Sequence, residues 1–375
     1  MTDSLRVLFS GMMAGDPRQG GATWAVLQYL LGLRELGHEV LFVEPVDAAE
    51  PDVVAYFHAV VRTFGLEGDA GLLVRGSRET VGVPYQQLAE RSATADILLN
   101  VSGMLADEKL LAGPSMRAYL DLDPAFNQLW HEVDGIDVGF GRHERFATVG
   151  LALGDPACPV PTAGREWITT PQPVVLSHWP RASRIERDAL TTVGNWRGYG
   201  SVEWEGRRMG QKAHSLRRLL DLQSRTHERL ELALAIHPDE EPDLTALHEH
   251  GWTVLDPGDV AATPRGYRDF VSGSKGEFGL AKEGYVESRC GWFSDRSVCY
   301  LASGRPVLAQ DTGFGAFLPV GDGLLRFSTT DDALEAIDGL QARYAAHSDA
   351  ARMLAEDTFS SRKVLPRLLD RLGGA

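Results

Sequence analysis

The feature that most restricts the fold of this chain is the alternation of short apolar segments with glycine-containing loops and helical segments. Residues 5–10 are a short apolar run, residues 11–21 contain four glycines, and an amphipathic helix that begins near Thr23 precedes a second apolar run at residues 38–45. A strand–helix–strand unit of this kind requires a right-handed crossover and a parallel sheet. The beginning of the chain is therefore predicted to be an α/β domain.

The alternation continues along the chain and restarts after a proline-rich stretch at residues 156–180. A length of 375 residues exceeds what one compact core usually holds and suits two domains. We predict an α/β fold with two Rossmann-like domains facing a central cleft, namely residues 1–180 and 181–350. A C-terminal helix, residues 351–375, is a candidate to cross back to the first domain. The further predicted strands are residues 96–101, 117–122, 146–151, 189–194, 230–237, 252–255 and 306–310.

Composition narrows the partners and the compartment. A net charge of −15 disfavours binding to a phosphate backbone, so we expect no nucleic-acid partner. No apolar run approaches the roughly 20 residues that span a bilayer, and the first residues lack the pattern of a signal peptide. We therefore expect a cytoplasmic protein without a transmembrane segment. The three cysteines have no CxxC spacing, which predicts neither a zinc site nor a disulfide framework.

Residues 291–314 carry the clearest pattern for a ligand site. A polar turn precedes a predicted helix that ends at Gly304, and a buried strand at residues 306–309 leads into a polar loop. Helix N-termini bind anions, and open α/β sheets bind ligands where their strands end. The turn and the loop are therefore predicted to bind a phosphate-bearing ligand through Ser294, Asp295, Arg296, Ser297, Gln310, Asp311, Thr312 and Gly313.

The run from Gly304 to Gly313 resembles the donor domain of the family 4-like group of retaining glycosyltransferases, which have the GT-B fold. That group carries a Glu-x7-Glu pattern, then a helix, Gly-x-Pro-Val, a strand and a Gly-rich loop. Its two glutamates fall at Gly291 and Cys299 here, so Asp295 is a candidate to replace one of them. By the same resemblance, Lys282 and Arg289 are candidates to contact the donor diphosphate.

The resemblance also implies an activity. It implies an enzyme that moves a sugar from a nucleotide diphosphate donor to a hydroxyl or amine of a small-molecule or glycan acceptor. It further implies that no metal and no cofactor takes part. In GT-B enzymes the first loop of the N-terminal domain reaches across the cleft, so Gly20 and Gly21 are expected to meet the donor phosphate.

Other candidates for the donor site follow from local pattern. Gly194, Asn195 and Trp196 follow the first strand of the second half, and glycine permits close approach of a ligand to the backbone. Lys275 and Lys282 are seven residues apart, either on one helix face or flanking a loop. The chain has only five lysines, and Lys212 is the other one beside these motifs. The alternative for the lysines is a solvated surface position.

Two acids are candidates for catalysis. Asp16 is the only acid in the first glycine-rich loop, although an Asp there is also typical of a turn or cap. Asp123 belongs to an Asp121-Leu122-Asp123 sequence that resembles the metal-binding motif of GT-A glycosyltransferases. Because the layout predicts two α/β domains, we interpret Asp123 as an acid of the acceptor cleft and predict no metal site.

Alternative functions remain open from the sequence. The same scaffold carries sugar-nucleotide epimerases and phosphorylases, because a fold does not fix a function. A non-catalytic two-lobed binding protein is a second alternative, and a glycosyltransferase-like partner protein that lacks the two glutamates is a third.

Overall fold

The computed structural model describes residues 4–373, which contain two separate main sheets. The first sheet consists of β1 (Arg6–Ser10), β2 (Glu39–Val46), β3 (Ala70–Val74), β4 (Thr80–Gly82), β5 (Ile97–Val101), β6 (Met116–Asp121), β7 (Arg145–Thr148) and β8 (Ile168–Thr169). The second sheet consists of β9 (Arg187–Asn195), β12 (Leu230–Ala235), β13 (Thr253–Leu255), β14 (Ser274–Gly279), β15 (Val307–Gln310) and β16 (Leu324–Phe327). Between β9 and β12, the strands β10 (Val202–Trp204) and β11 (Arg207–Met209) form a separate hairpin.

Helices connect and cover these strands. Those of the first half are α1 (Gly20–Glu35), α2 (Pro51–Thr63), α3 (Tyr85–Ser92), α4 (Glu108–Leu111) and α5 (Phe126–Glu132). Those of the second half are α6 (Lys212–Arg217), α7 (Glu241–Glu249), α8 (Pro257–Val260), α9 (Pro264–Gly273), α10 (Glu283–Ser288), α11 (Asp295–Ala302) and α12 (Thr330–Ala342). The chain ends with α13 (Tyr344–Leu354) and α14 (Ser361–Leu372). No helix among residues 4–373 is long and apolar enough to cross a membrane.

Both sheets have the strand order of a Rossmann-type domain. The order is β4-β3-β2-β1-β5-β6-β7-β8 in the first and β13-β12-β9-β14-β15-β16 in the second. All pairs are parallel except β3 with β4. The order reverses beside β1 and beside β9, and ligands of open α/β sheets bind at such a switch point. The prediction of two Rossmann-like domains is confirmed.

Helix α1 joins the two halves. Its first residue, Gly20, donates its backbone N–H to the Ala261 carbonyl at 3.0 Å, and the Trp24 indole donates to the Pro264 carbonyl at 2.7 Å. A Cβ at Gly20 would lie 2.3 Å from the Thr263 carbonyl oxygen. Glycine therefore allows the start of α1 to approach the second half this closely.

The C-terminal helix predicted for residues 351–375 is interrupted. Helix α13 runs into a π turn at Ala355–Phe359, and Ser360 then pairs with Val174 as a short bridge before α14 begins. Helix α14 packs against α1, β7 and β8 of the first half. Gly374 and Ala375 lie outside the described residues, and the proposed domain boundaries at residues 180 and 350 stay predictions.

The segment at residues 272–282 differs from the predicted loop or helix. Residues 274–279 form β14, the strand next to β9 in the middle of the second sheet. A Cβ at Gly276 would lie 2.7 Å from the Pro306 carbonyl, so the glycine serves close packing of strands. Because six strand residues span about 20 Å, Lys275 and Lys282 lie at opposite ends of the sheet.

Candidate functional site

A cleft of about 690 Å³ lies between the two halves, where strands of both sheets end. It is bordered by the loops after β6, β9, β12 and β14 and by the first turns of α1, α6 and α11. The structure brings many of the predicted site residues to this cleft. They are Asp16, Gly20, Gly21, Asp123, Gly194, Asn195, Lys282, Ser294, Asp295 and Arg296.

Other predicted residues lie away from the cleft. Trp196 is 1% exposed in the core of the second half, where its indole donates to Asp243 at 2.9 Å. Lys275 forms an ion pair with Glu228 at 2.6 Å at the opposite end of β14. Arg289 is exposed in the left-handed conformation at the end of α10, with a φ of 48°. None of these three residues lines the cleft.

The loop after β15 packs beneath the cleft wall. Gln310 accepts a hydrogen bond from the Ala281 N–H at 3.3 Å, and Thr312 donates to the Trp292 carbonyl. Asp311 accepts from the Gly313 N–H at 2.9 Å. These contacts stabilise the segment that carries Trp292, which itself lines the cleft. Ser297 and Gln310 face only a small adjoining crevice of about 10 Å³.

Lys212 lines the cleft and is noted from the sequence, but it is not among the predicted site residues. Tyr199 and Tyr285 also line the cleft, and the sequence does not indicate them. Lys212 is the first residue of α6. A Cβ placed on Gly194 would lie 2.5 Å from its ammonium nitrogen, so the absence of a side chain at Gly194 leaves room for the lysine. The side chain is partly buried and forms no hydrogen bond or ion pair with residues 4–373. Burial and the nearby Arg296 guanidinium hold the pKa of Lys212 well below its usual value. An unpaired ammonium that lines a cleft is a natural site for an anion, because it can form charge-assisted hydrogen bonds with one.

The sequence feature that could have selected Lys212 is the rarity of lysine in this chain. Only five lysines occur in the chain, and this one follows the glycine-rich loop after β9 by fewer than twenty residues. Arginine is the common cation here, so a lysine beside a glycine loop is unusual for this sequence. That signal alone did not separate Lys212 from Lys275.

Arg296 has a different role from Lys212 because its donors are already used. Its guanidinium forms an ion pair with buried Glu277 and donates to the Val193 carbonyl at 3.1 Å. It also reaches the Leu280 carbonyl at 3.5 Å. Arg296 therefore ties the ends of β9 and β14 together and adds a fixed positive charge beside Lys212.

The turn before α11 divides into a cap and a cleft residue. Ser294 accepts the Arg296 N–H at 3.2 Å and so caps the helix. Asp295 lines the cleft, and burial raises the pKa of its carboxyl group. Gly291, at one position of the family glutamates, has a φ of 76°, and Cys299, at the other, accepts from Gln28 at 3.5 Å inside the core.

Asp123 forms the densest polar cluster of the cleft. Lys282 donates to both of its carboxylate oxygens at 3.0 Å, Tyr199 donates at 2.5 Å, and Tyr285 also donates. Burial raises the pKa of both tyrosines well above their usual value, so they are neutral donors. The Lys282 ammonium also lies 4.2 Å from the centre of the Tyr199 ring and 5.1 Å from that of Phe126.

Asp121, the other acid of the Asp-x-Asp sequence, points into the first half. Its carboxylate is fully buried and accepts from Asn127 at 2.6 Å, from Gln128 at 2.8 Å and from Thr148 at 2.9 Å. Burial raises the pKa of Asp121 to about 6. The two acids therefore do not converge. No group of three or more His, Cys, Asp or Glu side chains in the described chain is placed to hold a metal ion.

The loop that carries Asp16 is held from within the first half. Glu44 on β2 is fully buried and accepts the backbone N–H groups of Ala14 at 2.9 Å and Gly15 at 2.6 Å. Burial raises the pKa of Glu44 to about 7. Asp16 itself is exposed at the cleft and accepts from Gln19. A buried carboxylate thus fixes the loop and leaves Asp16 accessible.

The chain is similar to known proteins in its structure but not detectably in its sequence. No protein-family model and no curated protein matches the sequence. The structure is similar to an alpha-glucosyltransferase in complex with UDP-glucose and DNA containing an abasic site, with a TM-score of 0.63 and 13% identity over 98% of each chain. It is also similar to HepE from Anabaena in complex with UDP and glucose, with a TM-score of 0.59 and 10% identity over 99% of this chain and 100% of that one.

A further structure of the alpha-glucosyltransferase, with UDP and a 13-mer DNA containing an HMU base, gives a TM-score of 0.63 at 13% identity over 99% of each chain. These similarities extend over essentially the whole chain and include both sheets. At this level of identity they establish the fold. The chain has the GT-B fold, with two Rossmann-like domains that face each other across the cleft.

Proposed function

We propose that this chain is a nucleotide-sugar-dependent glycosyltransferase whose donor diphosphate binds at Lys212. The observation that carries the proposal is the Lys212 ammonium, which lies in the cleft without a hydrogen-bonding partner among residues 4–373. An ammonium that has no protein partner in a cleft can form charge-assisted hydrogen bonds with an anionic ligand. The diphosphate of a nucleotide sugar supplies such an anion.

The surroundings of Lys212 fit a diphosphate. Gly194 presents backbone without a side chain beside the Lys212 ammonium, and Arg296, although paired with Glu277, lies next to it. From the opposite half, Gly21 and Ala22 in the first turn of α1 line the cleft. The N–H groups of a first turn have no partner within their helix, and the N-terminus of a 16-residue helix attracts negative charge.

The proposed reaction is glycosyl transfer by displacement of a nucleoside diphosphate. The bond between the anomeric carbon and the phosphate oxygen breaks, the acceptor oxygen or nitrogen bonds to that carbon, and the acceptor proton passes to a base. Negative charge develops on the leaving diphosphate, so fixed cations at that position lower the barrier. Asp16 is the candidate base, because its carboxylate is accessible at the cleft.

The nature of donor and acceptor is part of the proposal. Because the alpha-glucosyltransferase and HepE structures contain UDP or UDP-glucose, uridine diphosphate sugars are the first donors to test. The alpha-glucosyltransferase structure also contains DNA. A net charge of −15 favours a small-molecule or glycan acceptor for this chain instead.

We also propose that the chain belongs to the family 4-like group. The three cysteines of this chain are free thiols, which supports a cytoplasmic location because disulfides are rare in that compartment.

A binding and turnover screen tests the function. Calorimetry with UDP, GDP, ADP and dTDP should find one nucleoside diphosphate that binds clearly more tightly than the others. The corresponding nucleotide sugars should then be hydrolysed slowly without an acceptor, with release of that nucleoside diphosphate. Failure of every nucleoside diphosphate to bind would contradict the proposal.

A further inference from the structure

We propose that Lys282 is a shared cation, which binds Asp123 in the ligand-free cleft and moves to the donor diphosphate when the donor binds. This inference rests on the proposed function, because it needs an anionic donor. It assigns Asp123 the role of a competitor for Lys282, which opposes donor binding. From the sequence, Asp123 is a candidate catalytic acid of the acceptor cleft, and the competitor role replaces that interpretation in the proposal.

The pair connects the two halves of the molecule directly. Asp123 follows β6 of the first sheet and Lys282 follows β14 of the second, and the ammonium lies 3.0 Å from each carboxylate oxygen. The side chains are only 20% and 23% exposed. The ion pair is therefore a contact across the cleft, shielded from most of the solvent.

The Asp123 carboxylate has little capacity left for a substrate. One oxygen accepts from Lys282 and Tyr285, and the other accepts from Lys282 and Tyr199. A carboxylate offers about four lone-pair sites, and these four hydrogen bonds use them. An acceptor hydroxyl would have to displace one of these donors before Asp123 could take its proton.

Exchange of partners requires the Lys282 ammonium to leave Asp123 and the Tyr199 hydroxyl, to which it also donates. Lys282 precedes α10 as a flexible four-carbon side chain, and it lines the same cleft as the unpaired Lys212. The positive charge of Lys282 is close enough to Lys212 to help lower the pKa of that lysine. A diphosphate that binds at Lys212 therefore brings its negative charge within the field of Lys282.

The same cluster contacts the segment that leads into the β10–β11 hairpin, whose Val202 and Met209 pack in an apolar cluster with Phe126 and Tyr285. Tyr199, in the loop before β10, donates to Asp123 at 2.5 Å, and its ring packs against Phe126 of α5 with ring centres 4.8 Å apart. The hairpin residue Trp204 donates to the Pro159 carbonyl at 3.3 Å. Loss of the Asp123 charge should therefore loosen the hairpin as well as release Lys282.

The test measures nucleoside diphosphate affinity by calorimetry in Asp123→Asn, Lys282→Met and the double variant. We expect Asp123→Asn to bind the preferred nucleoside diphosphate about fivefold or more tightly, because it removes a competing ion pair. Lys282→Met should bind it more weakly, and Asp123→Asn should bring no gain in the Lys282→Met background. Lys275→Met, which removes an ammonium at the other end of β14, is the matched control.

A second measurement does not depend on the nucleotide. Hydrogen exchange of the hairpin amides, residues 202–209, should become faster in ligand-free Asp123→Asn and Tyr199→Phe than in the wild type. Melting temperatures of the same variants identify any that fail to fold, and Tyr199→Phe keeps the ring packing.

The outcomes separate the two proposals. If the wild type binds a nucleoside diphosphate and Asp123→Asn binds it no more tightly, the exchange of Lys282 is refuted and the proposed function stands. A gain in Asp123→Asn that persists in the double variant also refutes the exchange. If no nucleoside diphosphate binds to the wild type or to any variant, the proposed function and the inference both fail.

Discussion

Replacement of Lys212 by methionine should weaken donor binding without destabilising the fold. Methionine keeps the length and the apolar stem of the side chain but removes the charge. In the structure that charge has no partner among residues 4–373 and lies beside the Arg296 guanidinium. Removal of a charge-assisted hydrogen bond costs about 1.5–3 kcal/mol, or roughly 10- to 150-fold in the Kd of the nucleoside diphosphate.

The ligand-free protein should respond in the opposite direction. The pKa of Lys212 is depressed in the folded state, so the unfolded chain holds its proton more tightly, and the charged form costs stability at pH 7. That cost is relieved only as pH rises towards the ordinary lysine pKa of 10.5. Lys212→Met removes it, so the melting temperature at pH 7 should be unchanged or higher.

Lys275→Met is the control for this experiment. Lys275 is paired with Glu228, whose side chain is 3% exposed, so its loss should cost about 1.5–3 kcal/mol of folding stability and leave donor affinity unchanged. Calorimetry with nucleoside diphosphates and thermal denaturation of both variants give the comparison. A Lys212→Met protein that binds the nucleoside diphosphate like the wild type would refute the assignment of the diphosphate to Lys212.

Three further predictions follow from the cleft. If the diphosphate is held by protein cations and N–H groups, EDTA should leave turnover largely intact, and an absolute requirement for Mn²⁺ would contradict this. Because Asp295 lines the cleft, Asp295→Ala should weaken binding of the nucleotide sugar more than that of the free nucleoside diphosphate. Ser294→Ala removes the helix cap, so it should lower the free energy of unfolding by about 1 kcal/mol, seen as a lower melting temperature, and leave the affinity for both ligands unchanged. Equal losses for both ligands in Asp295→Ala would leave it without a sugar contact. The pKa of Glu44 is raised from 4.5 to about 7, so the contribution of this side chain to stability falls as pH rises through 7. Glu44→Gln should therefore reduce the change of melting temperature with pH between about pH 5 and 8. An unchanged slope of melting temperature against pH would contradict this.

Much of the fold could be predicted because buried parallel strands are continuous apolar runs in the sequence. The run Val7-Leu8-Phe9 is apolar throughout and at most 1% exposed, since helices cover both faces of such a sheet. The strand at 274–279 was missed because its glycines look like those of a loop. Gly276 is required by the Pro306 carbonyl of the neighbouring strand, a contact that exists only after the sheet has formed.

Residues that line the cleft could be predicted where they belong to one segment, and could not where several segments meet; their roles stay predictions. The turn at residues 294–297 is local, so its position at the start of a helix could be recognised from the order of residues. The partners of Asp123 come from residues 199, 282 and 285, and no local spacing connects these positions. Likewise, Lys212 and Lys275 have the same chemistry in the sequence, but in the structure Lys275 is paired with Glu228 and Asp188 whereas Lys212 lines the cleft.

The sequence by itself determined the two α/β halves, the loops at the ends of their strands and the approximate place of the cleft. These follow from periodicity and from glycine positions, which act over a few residues. The tertiary structure decided which charges are paired and which are available for a ligand. Pairing depends on distances of about 3 Å between atoms far apart in the chain, and these are set only when the two sheets and α1 pack together.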